Sequence, residues 1–138
     1  MRAFVALGSN VGERDAHLAY ARRRLASLPA TRLVAVSAVE ETAPLGPIPQ
    51  GPYLNQMALL ETELTPSALL AWCRTIERER GRTRETPWGP RTLDLDLVRF
   101  GDHRIADPEL VVPHPQLPHR AFWQRELAEL EARAAARD

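Results

Sequence analysis

The hydrophobic residues of this chain follow two different spacings along the sequence. Four segments show the apolar runs or the alternation typical of β-strands: residues 4–7, 33–39, 53–62 and 93–98. Two segments between them carry apolar side chains at helical spacing: Leu18, Ala21, Leu25 and Leu28 in the first, and Leu69, Leu70, Cys73 and Ile76 in the second. A last helix is predicted from about Arg120 into the alanine- and charge-rich final segment.

The predicted order of elements is β-α-β-β-α-β followed by a C-terminal helical extension. This order is typical of the ferredoxin-like fold, an α+β architecture in which two helices pack on one face of an antiparallel sheet. Local signals support the boundaries. Pro29 ends the first helix, Thr65 caps the second with Pro66 at its first position, and Gly81 is placed to close it. Prolines and glycines in residues 42–52 predict an irregular loop.

Two aspartates stand one residue apart in the last predicted strand. Side chains alternate between the faces of a strand, so Asp94 and Asp96 project from one face, and Leu93, Leu95 and Leu97 project from the other. Two carboxylates this close repel each other and lose hydration unless a cation lies between them. Mg²⁺ takes a few hard oxygen ligands and keeps the rest of its shell for water and phosphate. The pair therefore predicts a magnesium site, with two solvated carboxylates as the alternative.

The charge balance excludes several kinds of chemistry. The formal net charge is zero, so no overall field favours nucleic acid or an anionic membrane. All the basic residues apart from histidine are arginines, and the sequence contains no lysine. The absence of lysine excludes a P-loop, a Schiff-base enzyme and a protein-kinase site. Any phosphate bound here is therefore expected to be held by arginine, backbone N–H groups and metal.

Length and the remaining composition predict one cytoplasmic domain. The 138 residues suffice for a single compact unit, residues 1–138. No apolar run approaches membrane-spanning length, and the N-terminal segment is typical of a strand rather than of a signal peptide. Cys73 is the only cysteine, so an intrachain disulfide is excluded, and we expect it to be a small buried hydrophobic residue.

Short sequence blocks occur along the chain in the order and spacing of one family. They are Ala-Leu-Gly-Ser-Asn at 6–10, Thr-Ala-Pro-Leu-Gly-Pro at 42–47, Tyr-Leu-Asn at 53–55, Gly-Arg-Thr-Arg at 81–84, Trp-Gly-Pro-Arg-Thr-Leu-Asp-Leu-Asp at 88–96, Val-Pro-His-Pro at 112–115 and Arg-Ala-Phe at 120–122. In these blocks the chain resembles the 6-hydroxymethyl-7,8-dihydropterin pyrophosphokinases. The resemblance covers nearly the whole chain up to about Phe122. It implies transfer of pyrophosphate from ATP to the pterin alcohol, with release of AMP, in folate biosynthesis.

The resemblance implies a role for each matching residue. Asp94 and Asp96 would hold two Mg²⁺ ions that bridge the ATP phosphates, and Arg82 and Arg91 would be catalytic, through stabilisation of transition-state charge. The expected ATP-binding residues are Glu77, Arg84, Trp88, Leu97, His114 and Arg120. The expected pterin-binding residues are Thr42, Leu45, Tyr53, Asn55 and Phe122, with Tyr53 and Phe122 stacking on the ring.

Plainer explanations exist for individual residues, and the chain departs from the family in places. Tyr53 and Phe122 could be core residues, and Glu77 could lie on the helix surface if it neither orders Arg82 or Arg84 nor reaches the nucleotide. Arg74 stands where the family often has glutamine near the nucleotide, and Pro87 where a polar residue is common. Residues 123–127 replace the family's usual apolar run, which leaves the packing of the C-terminal segment open.

Two other classes of function remain compatible with the residues. One is a non-catalytic ferredoxin-like binding module, for instance one that binds RNA, although the chain lacks a basic excess and an aromatic run on a strand. The other is a different two-metal phosphoryl-transfer enzyme that uses the same pair of carboxylates. We expect a monomer that acts on small molecules, a pterin and ATP, and binds neither nucleic acid nor membrane.

Overall fold

The computed structural model of the chain describes residues 1–44, 46–81 and 92–137, and these residues form one main sheet with three α-helices. The strands are β1 (Arg2–Ser9), β2 (Thr31–Val36), β3 (Glu40–Thr42), β4 (Tyr53–Thr62), β5 (Asp94–Phe100), β6 (Ile105–Ala106) and β7 (Val111–Val112). The helices are α1 (Arg14–Ala26), α2 (Pro66–Glu79) and α3 (Ala121–Arg137), and a 3₁₀ turn, Leu117–His119, precedes α3.

The main sheet has the strand order β2-β4-β1-β5, and all of these neighbours are antiparallel. β3 also pairs with β4, beyond the end of β2, and β6 and β7 form a separate hairpin. α1 connects β1 to β2, and α2 connects β4 to β5. This is the ferredoxin-like α+β arrangement that the order of elements predicts, so the predicted fold class is confirmed.

The two faces of the sheet build two separate hydrophobic clusters. α1 and α2 cover one face, where Val5 and Leu7 of β1 and Leu95 of β5 are fully or almost fully buried. α3 covers the opposite face, where its apolar residues pack on alternate residues of β1 and β4: Phe4, Ala6, Met57, Leu59, Trp123, Leu127 and Leu130. The C-terminal helix therefore turns a two-layer arrangement into three layers.

The ends of α2 form as its sequence predicts. The Thr65 hydroxyl accepts a hydrogen bond from the backbone N–H of Ala68 at 3.1 Å, and Pro66 follows at the first helical position. Gly81 follows the helix with φ +79°, a conformation that glycine adopts at little cost.

Cys73 is fully buried within α2, and this burial raises the pKa of its thiol to about 12. No helix within the described ranges is both long and apolar enough to cross a lipid bilayer.

The predicted strand over residues 33–39 is shorter than its β-branched sequence suggests. β2 ends at Val36, and pairing resumes at Glu40 in β3. Ser37 causes the interruption, because its hydroxyl accepts the hydrogen bond from the backbone N–H of Met57 at 2.8 Å. A side-chain oxygen thus takes the place of the backbone carbonyl that a regular ladder would offer.

The polar residues after Phe122 do not prevent helix packing. α3 continues through them, and Trp123, Leu127 and Leu130 line its buried side. Glu126 also lies on that side, with 3% of its surface exposed, and neither carboxylate oxygen has a hydrogen-bond partner among the described residues. Burial, followed by the neighbouring Glu40 carboxylate, raises the pKa of Glu126 to about 9. The buried side of α3 therefore carries a carboxyl group that keeps its proton at neutral pH.

We expect Glu126→Gln to stabilise the chain, increasingly as pH rises. Below pH 4.5 both the folded and the unfolded states keep the Glu126 proton, so the group adds no pH dependence to the free energy of unfolding there. Between pH 4.5 and about 9 only the folded state keeps it, so the free energy of unfolding of the wild type falls across this range. Because glutamine stays uncharged and can donate to Glu40, the variant should gain about 1–3 kcal/mol at pH 8.

Urea unfolding between pH 5 and pH 9 measures this effect. Glu109→Gln, at an exposed position, serves as the control, because it removes one carboxylate without removing a buried one. A constant difference between Glu126→Gln and wild type across the pH range would contradict the assignment of a raised pKa to Glu126.

Candidate active site

β5 presents the two aspartates on the face of the sheet that α3 covers. Leu93, Leu95 and Leu97 point into the opposite cluster and are at most 2% exposed, whereas Asp94 and Asp96 are only partly buried. The predicted alternation of the strand is therefore confirmed. A strand places its carboxylates at a fixed spacing because its backbone is held by the ladder with β1.

Gly8 separates the aspartates from the polar residues of β4. In the register of the sheet Gly8 lies opposite Asp94 on one side and opposite Asn55 on the other. A side chain at this position would fill the space over the sheet, because a Cβ atom on Gly8 would lie 3.4 Å from the Tyr53 ring and 3.5 Å from the Asn55 amide oxygen. Gly8 lies within a sequence block of the family, but its role becomes visible only from the strand register.

The predicted pterin-binding residues of β3 and β4 lie together on the same face. The Asn55 amide donates a hydrogen bond to the Thr42 hydroxyl at 2.5 Å, and Thr42 is paired with Tyr53 across the strands. Asn55 is buried and Tyr53 is half-buried with its ring against Gly8. Phe122, at the start of α3, is half-buried and packs against the cluster on this same face. Both predicted stacking rings therefore lie on the α3 side of the sheet.

A bulge in β5 anchors the segment that carries His114. The pairing of β5 with β1 skips Val98, and the carbonyl oxygen of Val98 accepts a hydrogen bond from the backbone N–H of His114 at 2.9 Å. The peptide bond between Val112 and Pro113 is cis. The imidazole Nε2 of His114 lies 3.7 Å from a carboxylate oxygen of Asp96.

The hydrogen bonding of His114 determines its tautomer. Its Nδ1 atom accepts a hydrogen bond from the backbone N–H of Gln116 at 3.0 Å. A neutral ring must then carry its proton on Nε2, the nitrogen that faces Asp96. The ring also makes an edge-to-face contact with Trp123, with 4.9 Å between the ring centroids. His114 is thus oriented by two fixed partners and offers an N–H towards the aspartate.

Positive charge surrounds Asp96. Desolvation raises its pKa, but the nearby His114 ring and the charges of Arg120 and Arg74 outweigh it, so the pKa of Asp96 lies below its ordinary value. Arg120 approaches from the start of α3, with its guanidinium carbon 4.3 Å above the Trp123 ring. The Nε atom of Arg120 is buried and has no hydrogen-bond partner within the residues that the structure describes. Asp96 is therefore ionised at neutral pH and available to a cation.

Glu77 is buried beneath β5 rather than on the surface of α2. It is 2% exposed, and its carboxylate accepts hydrogen bonds from the backbone N–H of Leu95 at 2.8 Å and from Arg74 at 2.9 Å. Arg74 also donates to the carbonyl oxygen of Leu95 at 2.9 Å. The helix-surface explanation of Glu77 is therefore wrong, and Arg74, absent from the predicted site residues, belongs to the surroundings of the site.

Leu97 can contact a ligand only through its backbone, because its side chain is buried among the residues under α1 and α2. Five other predicted site residues lie outside the described part of the chain: Leu45, Arg82, Arg84, Trp88 and Arg91. Within the described part, no three histidine, cysteine or acidic side chains are grouped as a metal-binding cluster. The two aspartates thus form a carboxylate pair, which matches a cation that takes its other ligands from water or phosphate.

Comparison with known proteins agrees with the sequence blocks and with this geometry. The model of the 7,8-dihydro-6-hydroxymethylpterin-pyrophosphokinase family matches residues 4–132. Three relatives are each named 2-amino-4-hydroxy-6-hydroxymethyldihydropteridine pyrophosphokinase. The protein from Pseudomonas aeruginosa is 46% identical over 94% of this chain and 80% of its own length. That from Methylorubrum extorquens is 43% identical over 94% of this chain and 82% of its own length. That from Bacillus subtilis is 42% identical over 93% of this chain and 77% of its own length.

These matches do not favour a non-catalytic binding module. They extend over β1 and β5, the strands that carry Gly8 and the two aspartates, and over most of α3. The chain belongs to the 7,8-dihydro-6-hydroxymethylpterin-pyrophosphokinase family.

Proposed function

We propose that this chain performs the reaction of its family on the α3 face of the sheet, between the β5 aspartates and the polar end of β4. In this reaction the enzyme, an ATP-dependent diphosphotransferase of folate biosynthesis, transfers pyrophosphate from ATP to the hydroxymethyl group of 6-hydroxymethyl-7,8-dihydropterin and releases AMP. The observation that carries the proposal is the row Asp94, Gly8, Asn55 across three strands. It brings a phosphate-side carboxylate and a pterin-side amide to the two sides of one glycine.

Asp94 and Asp96 would hold Mg²⁺, and we propose two ions. Two observations support this assignment: both carboxylates emerge from one strand face, and the pKa of Asp96 is held below its ordinary value by neighbouring positive charge despite the burial that opposes it. Bound Mg²⁺ would supply charge neutralisation for the ATP phosphates and their orientation for in-line displacement. The carboxylates contribute hard oxygen ligands whose positions the β5 backbone fixes.

Cationic and N–H groups would bind the phosphate oxygens around the aspartates. His114 offers its Nε2–H beside Asp96, and Arg120 brings a guanidinium that is held over Trp123. Arg82 and Arg91 are proposed to stabilise the charge that develops on the transferred group, and Arg84 to clamp ATP. Trp88 and the backbone of Leu97 complete the proposed nucleotide contacts. Glu77, whose buried carboxylate accepts the Leu95 N–H, would support this side of the site only through β5.

The pterin would lie against the polar end of β4. Asn55 presents an amide with both a donor and an acceptor, which suits a flat heterocycle with amide-like edges. Thr42 holds that amide in place, and the backbone around Leu45 is proposed to contact the same edge of the pterin. Tyr53 and Phe122, both on this face, are proposed to stack on the ring.

We further propose that the enzyme is a cytoplasmic monomer without nucleic-acid or membrane partners.

The products of the reaction test the proposal directly. With ATP, Mg²⁺ and 6-hydroxymethyl-7,8-dihydropterin, the chain should release AMP and the pterin diphosphate in equal amounts, as measured by ³¹P NMR and chromatography. Omission of the pterin provides the control and should leave ATP intact. ADP or inorganic phosphate as the only product would contradict pyrophosphate transfer.

Replacement of one aspartate tests the metal assignment. Asp96→Asn preserves the shape of the side chain but removes its charge, so we expect kcat to fall by at least about 100-fold while the chain stays folded. Asp102→Asn removes one carboxylate from an exposed turn after β5 and serves as the matched control. Equal kcat values for the two variants at several Mg²⁺ concentrations would remove Asp96 from the metal site.

Replacement of Asn55 tests the pterin assignment. Asn55→Ala removes a buried amide that is expected to bind the pterin but not the nucleotide. We expect KM for the pterin to rise about 10-fold or more, because a hydrogen-bonding recognition group is lost. KM for ATP, measured at saturating pterin, should stay within about twofold of the wild type. A rise in KM for ATP with an unchanged KM for the pterin would contradict the assignment.

A further inference from the structure

Arg74 and Glu77 complete the free edge of β5 at Leu95, the residue between the two aspartates. β1 pairs with one side of β5, and no strand of the described sheet pairs with the other side there. The N–H and C=O groups of Leu95 both point to that open side, because the N–H is bonded to Glu77 and the C=O to Arg74. Two side chains from α2 thus supply the donor and the acceptor that a neighbouring strand would supply.

The ion pair is itself held in place by packing and charge. Arg74 and Glu77 are 2.9 Å apart, and the arginine and glutamate side chains are 29% and 2% exposed. A buried carboxylate without a partner would be costly, so Glu77 needs both the Leu95 N–H and the Arg74 guanidinium. The backbone of Leu95 is therefore bonded to α2 through a short, charge-assisted network rather than through a single contact.

We propose that Arg74 is a positioning residue of the active site, which acts with Glu77 through the Leu95 backbone to fix the direction of the Asp94 and Asp96 carboxylates. This inference rests on the proposed function, because it assigns those carboxylates to the metal. It differs from the expectation that position 74 lies near the nucleotide. Arg74 contacts no ligand in this role and acts from behind the strand.

A positioning role of Arg74 can be distinguished from a purely electrostatic role by the sign of its effect on cation binding. Its positive charge lies near Asp96, so loss of that charge alone would strengthen cation binding by the aspartates. Loss of a positioning contact would weaken cation binding, because the carboxylates would no longer be held at one spacing. Replacement of a group that supports a metal ligand from behind typically lowers metal affinity by roughly 10–100-fold. The two roles therefore predict changes of opposite sign.

The test compares Arg74→Met with Arg78→Met on the same helix. Arg78 is exposed, and its guanidinium bonds Thr75 rather than β5, so its removal changes the charge of α2 without touching Leu95. Mn²⁺ is titrated in the presence of saturating α,β-methylene-ATP, and the paramagnetic broadening of the Asp96 amide signal is followed by NMR. Hydrogen exchange of the Leu95 amide is measured without metal or nucleotide.

We expect Arg74→Met to bind Mn²⁺ roughly 10-fold more weakly than the wild type and to exchange the Leu95 amide faster. Arg78→Met should match the wild type in both measurements. Arg74→Gln, which keeps a side-chain N–H for the Leu95 carbonyl, should lie between the wild type and Arg74→Met and provides a milder variant if the methionine variant folds poorly.

Equal or tighter Mn²⁺ binding by Arg74→Met and Arg74→Gln, with unchanged exchange at Leu95, would overturn the positioning role. If the Asp96 signal of the wild type does broaden with Mn²⁺, that outcome would overturn only the role of Arg74 and leave the proposed metal site intact. Absence of broadening at Asp96 in the wild type would overturn the metal site itself and this inference with it.

Discussion

The pairing of β1 with β4 on one side and with β5 on the other is the constraint on which the site depends. It brings Asn55 and Asp94 to opposite sides of Gly8, although these residues are far apart along the chain. The alternation of side chains then places Tyr53 with Asn55, and Asp96 with Asp94, on the face that α3 covers. A shift of one residue in either register would turn these groups to the other face, into the cluster beneath α1 and α2.

Charge compensation explains how the aspartates can stay ionised at the edge of a hydrophobic core. The carboxylate of Asp96 is surrounded by His114, Arg120 and Arg74, which approach from three different elements. His114 comes from the segment anchored on the β5 bulge, Arg120 from the start of α3, and Arg74 from α2. The fold thus supplies an arrangement of fixed positive and polar groups before any ligand binds, and such preorganisation favours binding of metal and phosphate.

The order of elements and the placement of Asp94 and Asp96 could be predicted from the sequence, because both depend on local periodicity. The N-cap at Thr65 and the shared face of Tyr53 and Asn55 in β4 could also be predicted from local sequence. The end of β2 at Val36 was not, since it depends on a hydroxyl of Ser37 that replaces a backbone acceptor. Long-range partners of side chains are set by tertiary packing, which single-residue propensities do not contain.

The roles of Arg74, Glu77 and Glu126 illustrate this limit. Glu77 stands beside the apolar stripe of α2, and only the packing of α2 against β5 shows that its carboxylate is buried beneath Leu95. In the sequence Arg74 is only a departure from the family, whereas in the structure it bonds both the Leu95 carbonyl oxygen and the Glu77 carboxylate. Glu126 has a polar side chain on the buried side of a helix, where the apolar pattern alone predicts exposure.

A crystal structure with Mn²⁺, α,β-methylene-ATP and 6-hydroxymethylpterin would show directly whether metal and pterin bind on the two sides of Gly8. We expect anomalous scattering peaks bound by Asp94 and Asp96, with the pterin ring against Tyr53 on the other side of Gly8. Anomalous peaks away from both aspartates, or a pterin bound elsewhere than at the polar end of β4, would contradict the proposed site.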